Sequence, residues 1–352
     1  MKTYHRYLIF QYLKNFFIIL SALEIFYVGI DFLTTYKKLP NSANLQLLYM
    51  MFQGMYAINY VLPLSVIFSM VATVSTMIKS NELVSLYAFG ISRQSFVKPI
   101  FFTALSIIVV YILLTFTKFS YAGEYIENIL KFNQTSTTTR DLFLKNGDEY
   151  IYFKKLDPIR KEASDIKIFR VRDRDIISII SAKKGYYREK NWILYGVKKI
   201  IKPKVDTLDD KGLFSQKFNK MEALKDFRPQ IIDNIYKGKV NLSVLDAVDA
   251  LKFYDAQGLD TSRIKTILFS QLLLPFFAPL LILIFMVKMP TISRYHNLTI
   301  TSFVLSFVGI IVWGILFLLS KLALSSVLMP EISIVLPISM LSIASLYSYF
   351  KE

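Results

Sequence analysis

Six stretches of this 352-residue chain are long and apolar enough to cross a bilayer, and no other feature constrains its fold as much. A hydrocarbon core takes about 20 mainly apolar residues in helical form, and backbone polar groups there must be satisfied within the segment. The stretches run from about Phe16 to Leu33, from a start between Leu48 and Ala57 to about Ile78, from Ile100 to Thr117, from Ile267 to Val287, from Leu298 to Leu319 and from Ile332 to Phe350. The first exceeds the roughly 7–15-residue apolar core of a signal peptide. It is followed by Thr35, Tyr36 and Lys37 rather than a small-residue cleavage site, so it reads as a retained span.

Between the third and fourth stretches the composition changes. Residues 118–262 contain no apolar run of membrane length and are of a size that suits one domain. The expected organisation is three spans in 1–117, an inserted domain in 118–262 and three spans in 263–352. Within the insert, runs mixing β-branched and aromatic residues with charges (Tyr150 to Phe153, Ile166 to Val171, Ile176 to Ile180, Trp192 to Val197) predict strands of a sandwich or open barrel. The segment from Gly185 to Val197 reads as a hairpin turning at Glu189 to Asn191. The adjacent apolar Ile168 and Phe169 break the alternation, as a bulge or a strand covered on both faces would. A helix is expected to close the insert, capped by Ser243 and Asp246, with Leu245, Val248, Leu251 and Tyr254 on one face and Gly258 as its stop. The fold class is thus an α-helical integral membrane protein of six spans with an inserted all-β domain.

Hydrophobic residues make up 54% of the chain, above the 45–50% usual for soluble domains, yet 42 Lys+Arg leave a net charge of +16. That charge is divided: 118–265 carries a net +9 and the remainder +7, so it is neither one basic patch nor a nucleic-acid footprint, and no nucleic-acid partner is expected. Cysteine is absent, and the two histidines, His5 and His296, have no carboxylates gathered around them. The absence of cysteine excludes disulfides, thiolate metal sites and a cysteine nucleophile, and two isolated histidines weigh against histidine-based metal or triad chemistry. No phosphate-binding glycine loop and no hydrolase or zinc motif occurs. The chain reads as a non-enzyme without a cofactor of its own. Energy for uphill transport would come from a partner or an ion.

Short-loop cations set orientation. Lys2, Arg6, Lys14, Lys79, Arg93, Lys98, Lys288, Arg294 and Lys351 gather on one side; Lys37, Lys38 and Lys321 lie on the other. Both termini are therefore expected in the cytoplasm and the insert outside it. In the first span, Ser21, Glu24, Tyr27, Asp31, Thr34 and Lys38 share a helical face. A carboxylate at bilayer depth costs about 2.5–3.5 kcal/mol on insertion scales, so this face should meet a cavity, another span or a partner chain rather than lipid. In the fifth span Ser302, Ser306, Gly309 and Trp313 form a face rich in small residues, suited to close helix packing, either within the chain or against a second one. Pro63, Pro275, Pro279 and Pro337 are candidate kinks without an assigned role.

The second and third spans are joined by Lys79-Ser-Asn-Glu-Leu-Val-Ser-Leu-Tyr-Ala-Phe-Gly-Ile-Ser-Arg93. Ser80 or Asn81 can cap a short helix over 80–92, Glu82 suits its first turn, Leu83, Leu86, Tyr87 and Phe89 supply apolar contacts, and Gly90 ends it. Such a helix lies along the membrane surface or docks into a groove.

Asn81 to Ser92 resembles the coupling helix of the LptF/LptG family of lipopolysaccharide export permeases. The resemblance extends to Tyr7-Leu8, Leu62-Pro63, Trp192-Ile-Leu194, Leu242-Ser-Val-Leu245 and the three-spans, domain, three-spans layout. It implies a periplasmic β-jellyroll, an inner-membrane location and pairing with a second homologous six-span subunit. It also implies docking of a cytoplasmic ATPase dimer that binds the ATP, here through Glu82, Leu83, Leu86, Tyr87 and Gly90. Lipopolysaccharide would leave the outer leaflet through an opening lined by spans one and five and pass to a periplasmic bridge protein. On this reading Lys37, Lys38, Lys321, Glu24 and Asp31 contact the substrate, with the lysines near its phosphates. Asp31 in its Ile-Asp-Phe setting and the Glu-Leu-Val at 82–84 look more like the G subunit than F. Two other readings share the layout: a non-transporting scaffold linking a cytoplasmic partner to a periplasmic domain, and an ion-coupled transporter using Glu24 and Asp31.

Overall fold

The computed structural model describes residues 3–132, 139–146, 149–157, 160–172, 175–188, 191–202, 214–224, 242–256, 260–291 and 297–351. Lys2, Glu189, Gly258, Arg294 and His296, which entered the expectations above, lie outside them. The chain divides into two compact units, Met1–Leu130 with Leu242–Glu352, and Lys131–Asn241.

The first unit is helical: α1 (Thr3–Thr35), α2 (Ala43–Lys79), α3 (Glu82–Ala88), α4 (Arg93–Thr115), α5 (Ala122–Phe132), α6 (Val244–Ala256), α7 (Ser262–Leu272), α8 (Phe277–Lys288), α9 (Leu298–Leu324) and α10 (Leu336–Phe350). Six segments have the length and hydropathy of membrane spans: Thr3–Lys38, Ala43–Lys79, Arg93–Thr115, Ser262–Lys288, Leu298–Leu324 and Glu331–Phe350. Five of them contain the corresponding apolar stretch of the sequence whole, and the third, expected to run to Thr117, ends at Thr115. The fourth span is α7 plus α8, broken by a 3₁₀ turn at Leu274–Phe276 around Pro275. The sixth opens on a π turn, Glu331–Val335, ahead of Pro337. Pro63, by contrast, sits inside a continuous α2.

The second span is the centre of the bundle: 72% of its most apolar window is buried, against 6% for the first span and 17% for the fifth. Ile67, Met70 and Ile78 of α2 pack with Ile100 and Ile108 of α4 and with Phe277 and Ile282 of α8. Hydroxyls inside this apolar core are satisfied by their own helix: Ser65 and Thr73 donate to the carbonyls of Val61 and Ser69 at 2.9 and 2.7 Å. The small face of α9 is spent within the chain. Ser302 Oγ is 2.7 Å from Ser75 Oγ, and a Cβ at Gly309 would stand 3.2 Å from Ile67 Cγ2. The opposite faces of α1 (Phe10, Phe17, Ile25, Phe26) and α9 (Phe303, Phe307, Ile311, Leu318) are uncovered.

The second unit is a six-stranded antiparallel sheet: β1 (Thr139–Asn146), β2 (Glu149–Asp157), β3 (Glu162–Arg172), β4 (Asp175–Arg188), β5 (Asn191–Ile201) and β6 (Phe214–Ala223), in the order β1-β2-β3-β4-β5-β6. Each of the four expected strand runs lies in one of these. The expected hairpin is β4–β5, with Tyr186 opposite Ile193 and Arg188 opposite Asn191. The register slips between Arg170 and Val171, so the bulge is just beyond the Ile168-Phe169 pair. Connections among the described strands are all neighbour to neighbour. One face forms the core: Ile151, Phe153, Ile166, Ile168, Ile180, Trp192 and Leu194 are each at most 4% exposed. Gly185 is required there by space, because a Cβ would stand 2.5 Å from Ile166 Cδ1 and 3.2 Å from Trp192 Cε3.

The helix expected to close the insert, α6, groups with the membrane helices instead. Its cap is as expected: Ser243 Oγ accepts from Asp246 N at 3.2 Å and donates to its carboxylate at 2.5 Å. Its buried face is not. Val244, Ala247 and Ala250 are at most 3% exposed, whereas Leu245 is 56% exposed. The small side chains permit close approach, and the carboxylate of Asp246 is held by the hydroxyl of Tyr121, which fixes the helix's rotation. Burial and this carboxylate together push the Tyr121 hydroxyl above the ordinary phenol range, so it stays a neutral donor. Gln271 of α7 adds a 2.7 Å bond to the carbonyl of Leu242.

Candidate functional site

The polar face of α1 divides when it meets α2. Glu24, Tyr27 and Asp31 are half-buried, while Ser21, Thr34 and Lys38 point outward. Asp31 accepts a 2.5 Å hydrogen bond from the hydroxyl of Tyr49, which is 1% exposed. Glu24 fits where α2 has a glycine: a Cβ at Gly54 would be 3.5 Å from Glu24 Oε1. Its other oxygen is buried with no hydrogen-bond partner among the described residues. Both carboxylates are thus turned to the next span, as their cost in lipid requires.

The α2 side of this contact was not anticipated. Tyr49, Tyr56 and Tyr60, at i, i+7 and i+11, share a face of α2. The hydroxyls of Tyr56 and Tyr60 are 2.9 Å apart, and Asn59 accepts a 2.7 Å bond from Tyr111 of α4. The ring of Tyr60 meets Phe317 of α9 edge-on at 5.7 Å, Phe317 stacks on Trp313 at 5.5 Å, and the ammonium of Lys321 lies 5.1 Å from the Phe317 ring centre. Carboxylates on the first span, tyrosines on the second and a cation on the fifth therefore follow one another across the bundle. Tyrosine suits this position, since its ring tolerates an apolar setting and its hydroxyl needs a partner. Spacing alone would have revealed the tyrosine face.

Lys37 and Lys38 form the 3₁₀ turn Tyr36–Lys38 that follows α1, and both are exposed. Lys321 is in the last turn of α9. All three are cations at helix C-termini, where the backbone dipole favours them. Their ammonium groups remain available to an external anion.

The connector between α2 and α4 folds as the helix α3, shorter than the 80–92 expected. Asn81 stands at its N-cap in the left-handed region (φ 58°), and neither Asn81 nor Ser80 caps it by side chain. Ser80 Oγ instead donates to Glu82 Oε1 at 2.8 Å, and the Tyr7 hydroxyl to Glu82 Oε2 at 2.8 Å. Glu82 thereby ties the connector to the start of α1. Leu83 is 2% exposed, and Leu86 and Tyr87 pack on the bundle core. Gly90 follows at φ +75°, a conformation that favours glycine. Of the residues expected at the ATPase contact, Leu83, Leu86 and Tyr87 therefore anchor α3. The outward side is Val84, Ser85, Ala88 and Phe89, the last 84% exposed.

Arg93, the first residue of α4, completes this joint. Its Nη2 lies 2.6, 2.7 and 3.1 Å from the carbonyl oxygens of Met286, Val287 and Met289 at the end of α8. From sequence Arg93 reads only as an orienting charge.

A search of curated proteins finds no match. The family model described as lipopolysaccharide export system permease LptF/LptG matches residues 6–351, both helical segments and the sheet between them. It covers F and G subunits together and does not separate them. The chain belongs to the LptF/LptG family of lipopolysaccharide export permeases, multi-pass proteins of the inner membrane.

Proposed function

We propose that this chain is one of two homologous permease subunits that together take lipopolysaccharide from the outer leaflet of the inner membrane and pass it to a periplasmic bridge protein. A cytoplasmic ATPase dimer seated on α3 supplies the energy. Both termini lie in the cytoplasm and the sheet unit in the periplasm, an orientation supported by the short-loop Lys/Arg distribution.

One observation carries the reading. The two spans least covered by their own chain among the six, α1 and α9, each carry exposed lysines at the same end of the bundle: Lys37 and Lys38 just after α1, and Lys321 in the last turn of α9. Lipopolysaccharide joins acyl chains to phosphates, so its site needs apolar faces beside cations. Lysine serves phosphate as a point charge. The second subunit covers the remaining apolar faces of α1 and α9. The outward side of α3 meets the ATPase, chiefly through Phe89.

The test is reconstitution of this chain with a second six-span homologue and the ATPase in proteoliposomes loaded with lipopolysaccharide. ATP-dependent transfer of lipopolysaccharide to a soluble acceptor is expected. ATP hydrolysis without transfer, in a complex that assembles, supports a non-transporting scaffold instead.

A further inference from the structure

We propose that Arg93 is the positioning residue through which movement of α3 reaches the fourth span. The inference rests on α3 being the ATPase-docking helix. The last four carbonyls of a helix have no intrahelical partner. At the end of α8, Met289 N bonds back to Phe285 O, and the guanidinium of Arg93 stands on the carbonyls of Met286 and Val287. Met286 and Met289 are 3% and 4% exposed, so the guanidinium meets the buried side of this helix end. The contact is therefore a structural bond between the α3–α4 corner and α8, strengthened by a cation at a helix C-terminus.

The corner itself is stiff. Leu83 seats α3, Gly90 N and Ile91 N close its end on the carbonyls of Tyr87 and Leu86 at 3.0 and 3.2 Å, and Ser92 caps α4 by accepting from Ser95 N at 3.2 Å. Four residues separate the end of α3 from Arg93. A displacement of α3 is delivered to α8 by that short link rather than absorbed in a loop. α8 in turn packs on α2, α4 and α10, and α2 carries the tyrosine face described above. Arginine suits the task because its guanidinium is charged at every working pH and is rigid and planar, so it brings Nη2 to all three carbonyls in one orientation.

The experiment uses the complete complex in proteoliposomes and reads three quantities: ATPase retained on purification, ATP hydrolysed, and lipopolysaccharide released per ATP. In R93A and R93Q the ATPase is expected to stay bound and active, while lipopolysaccharide released per ATP falls about tenfold; R93K is expected to recover part of it. An unchanged yield per ATP in all three variants makes Arg93 a helix cap alone and overturns the proposal. Loss of ATPase binding in R93K and R93Q also overturns it, since Arg93 would then only shape α3. The parallel variant F89A separates the underlying reading: full ATPase binding in F89A means that α3 is not the docking helix, and the proposal falls with that reading.

Discussion

Tyr49 on the second span donates a 2.5 Å hydrogen bond to Asp31 on the first. With the seat of Glu24 at Gly54, it joins the C-terminal half of α1 to α2, beyond the bonds that Tyr12 and Asn15 make to Val66 and Thr73. Tyr49→Phe keeps the ring and strands the carboxylate, a loss of about 1–3 kcal/mol. Thermal unfolding in nanodiscs is expected to show it. Pairing Tyr49→Phe with Asp31→Leu should recover most of the loss, because removing both partners leaves nothing unsatisfied.

Leu83 and Phe89 are expected to separate stability from docking. Leu83→Ala empties a buried position and should destabilise the isolated chain by about 2–5 kcal/mol. Phe89→Ala removes an exposed ring, so the isolated chain should melt as before. Its complex with the ATPase should weaken by about 2 kcal/mol or more, as for an aromatic anchor at an interface. Titrating ATPase against both variants tests this.

Lys37 and Lys38 are exposed in the turn that follows α1. Replacing both by Glu is expected to leave membrane insertion and ATPase binding intact and to lower lipopolysaccharide loading in the reconstituted complex by about tenfold, a loss of about 1.4 kcal/mol in binding. Equal loading by the double variant removes these lysines from the substrate site.

Gly185 faces Ile166 and Trp192 inside the sheet, with no room for a methyl group. Gly185→Ala should cost about 1–3 kcal/mol by overpacking. Limited proteolysis is expected to cut first within the sheet unit, and the helical unit should keep its protection.

The six spans were legible because bilayer thickness sets a length that few other structures need. The strands were legible from Tyr150, Ile166, Ile176 and Trp192 onward, where β-branched and aromatic residues cluster between charges. What the sequence hides is direction. Leu83 and Phe89 are both apolar and six residues apart, yet one anchors α3 and the other is bare; only the surface beneath the helix distinguishes them. Leu245 reads as core by periodicity, but Ala247 and Ala250 take the buried side because neighbouring helices come close. The bond from Arg93 to α8 joins residues 193 to 196 positions apart, and no local pattern encodes it. The tyrosine face of α2 was accessible from spacing, hidden only by the length of the apolar run around it.

The central claim is that lipopolysaccharide passes between the first and fifth spans. A photocrosslinking amino acid placed in turn at Thr34 on α1 and at Leu318 on α9, both exposed on the bundle, tests it in intact membranes. Lipopolysaccharide adducts at both positions, depleted when ATP drives export, are the predicted result. Adducts with phospholipid or protein at both positions, and none with lipopolysaccharide, would contradict it.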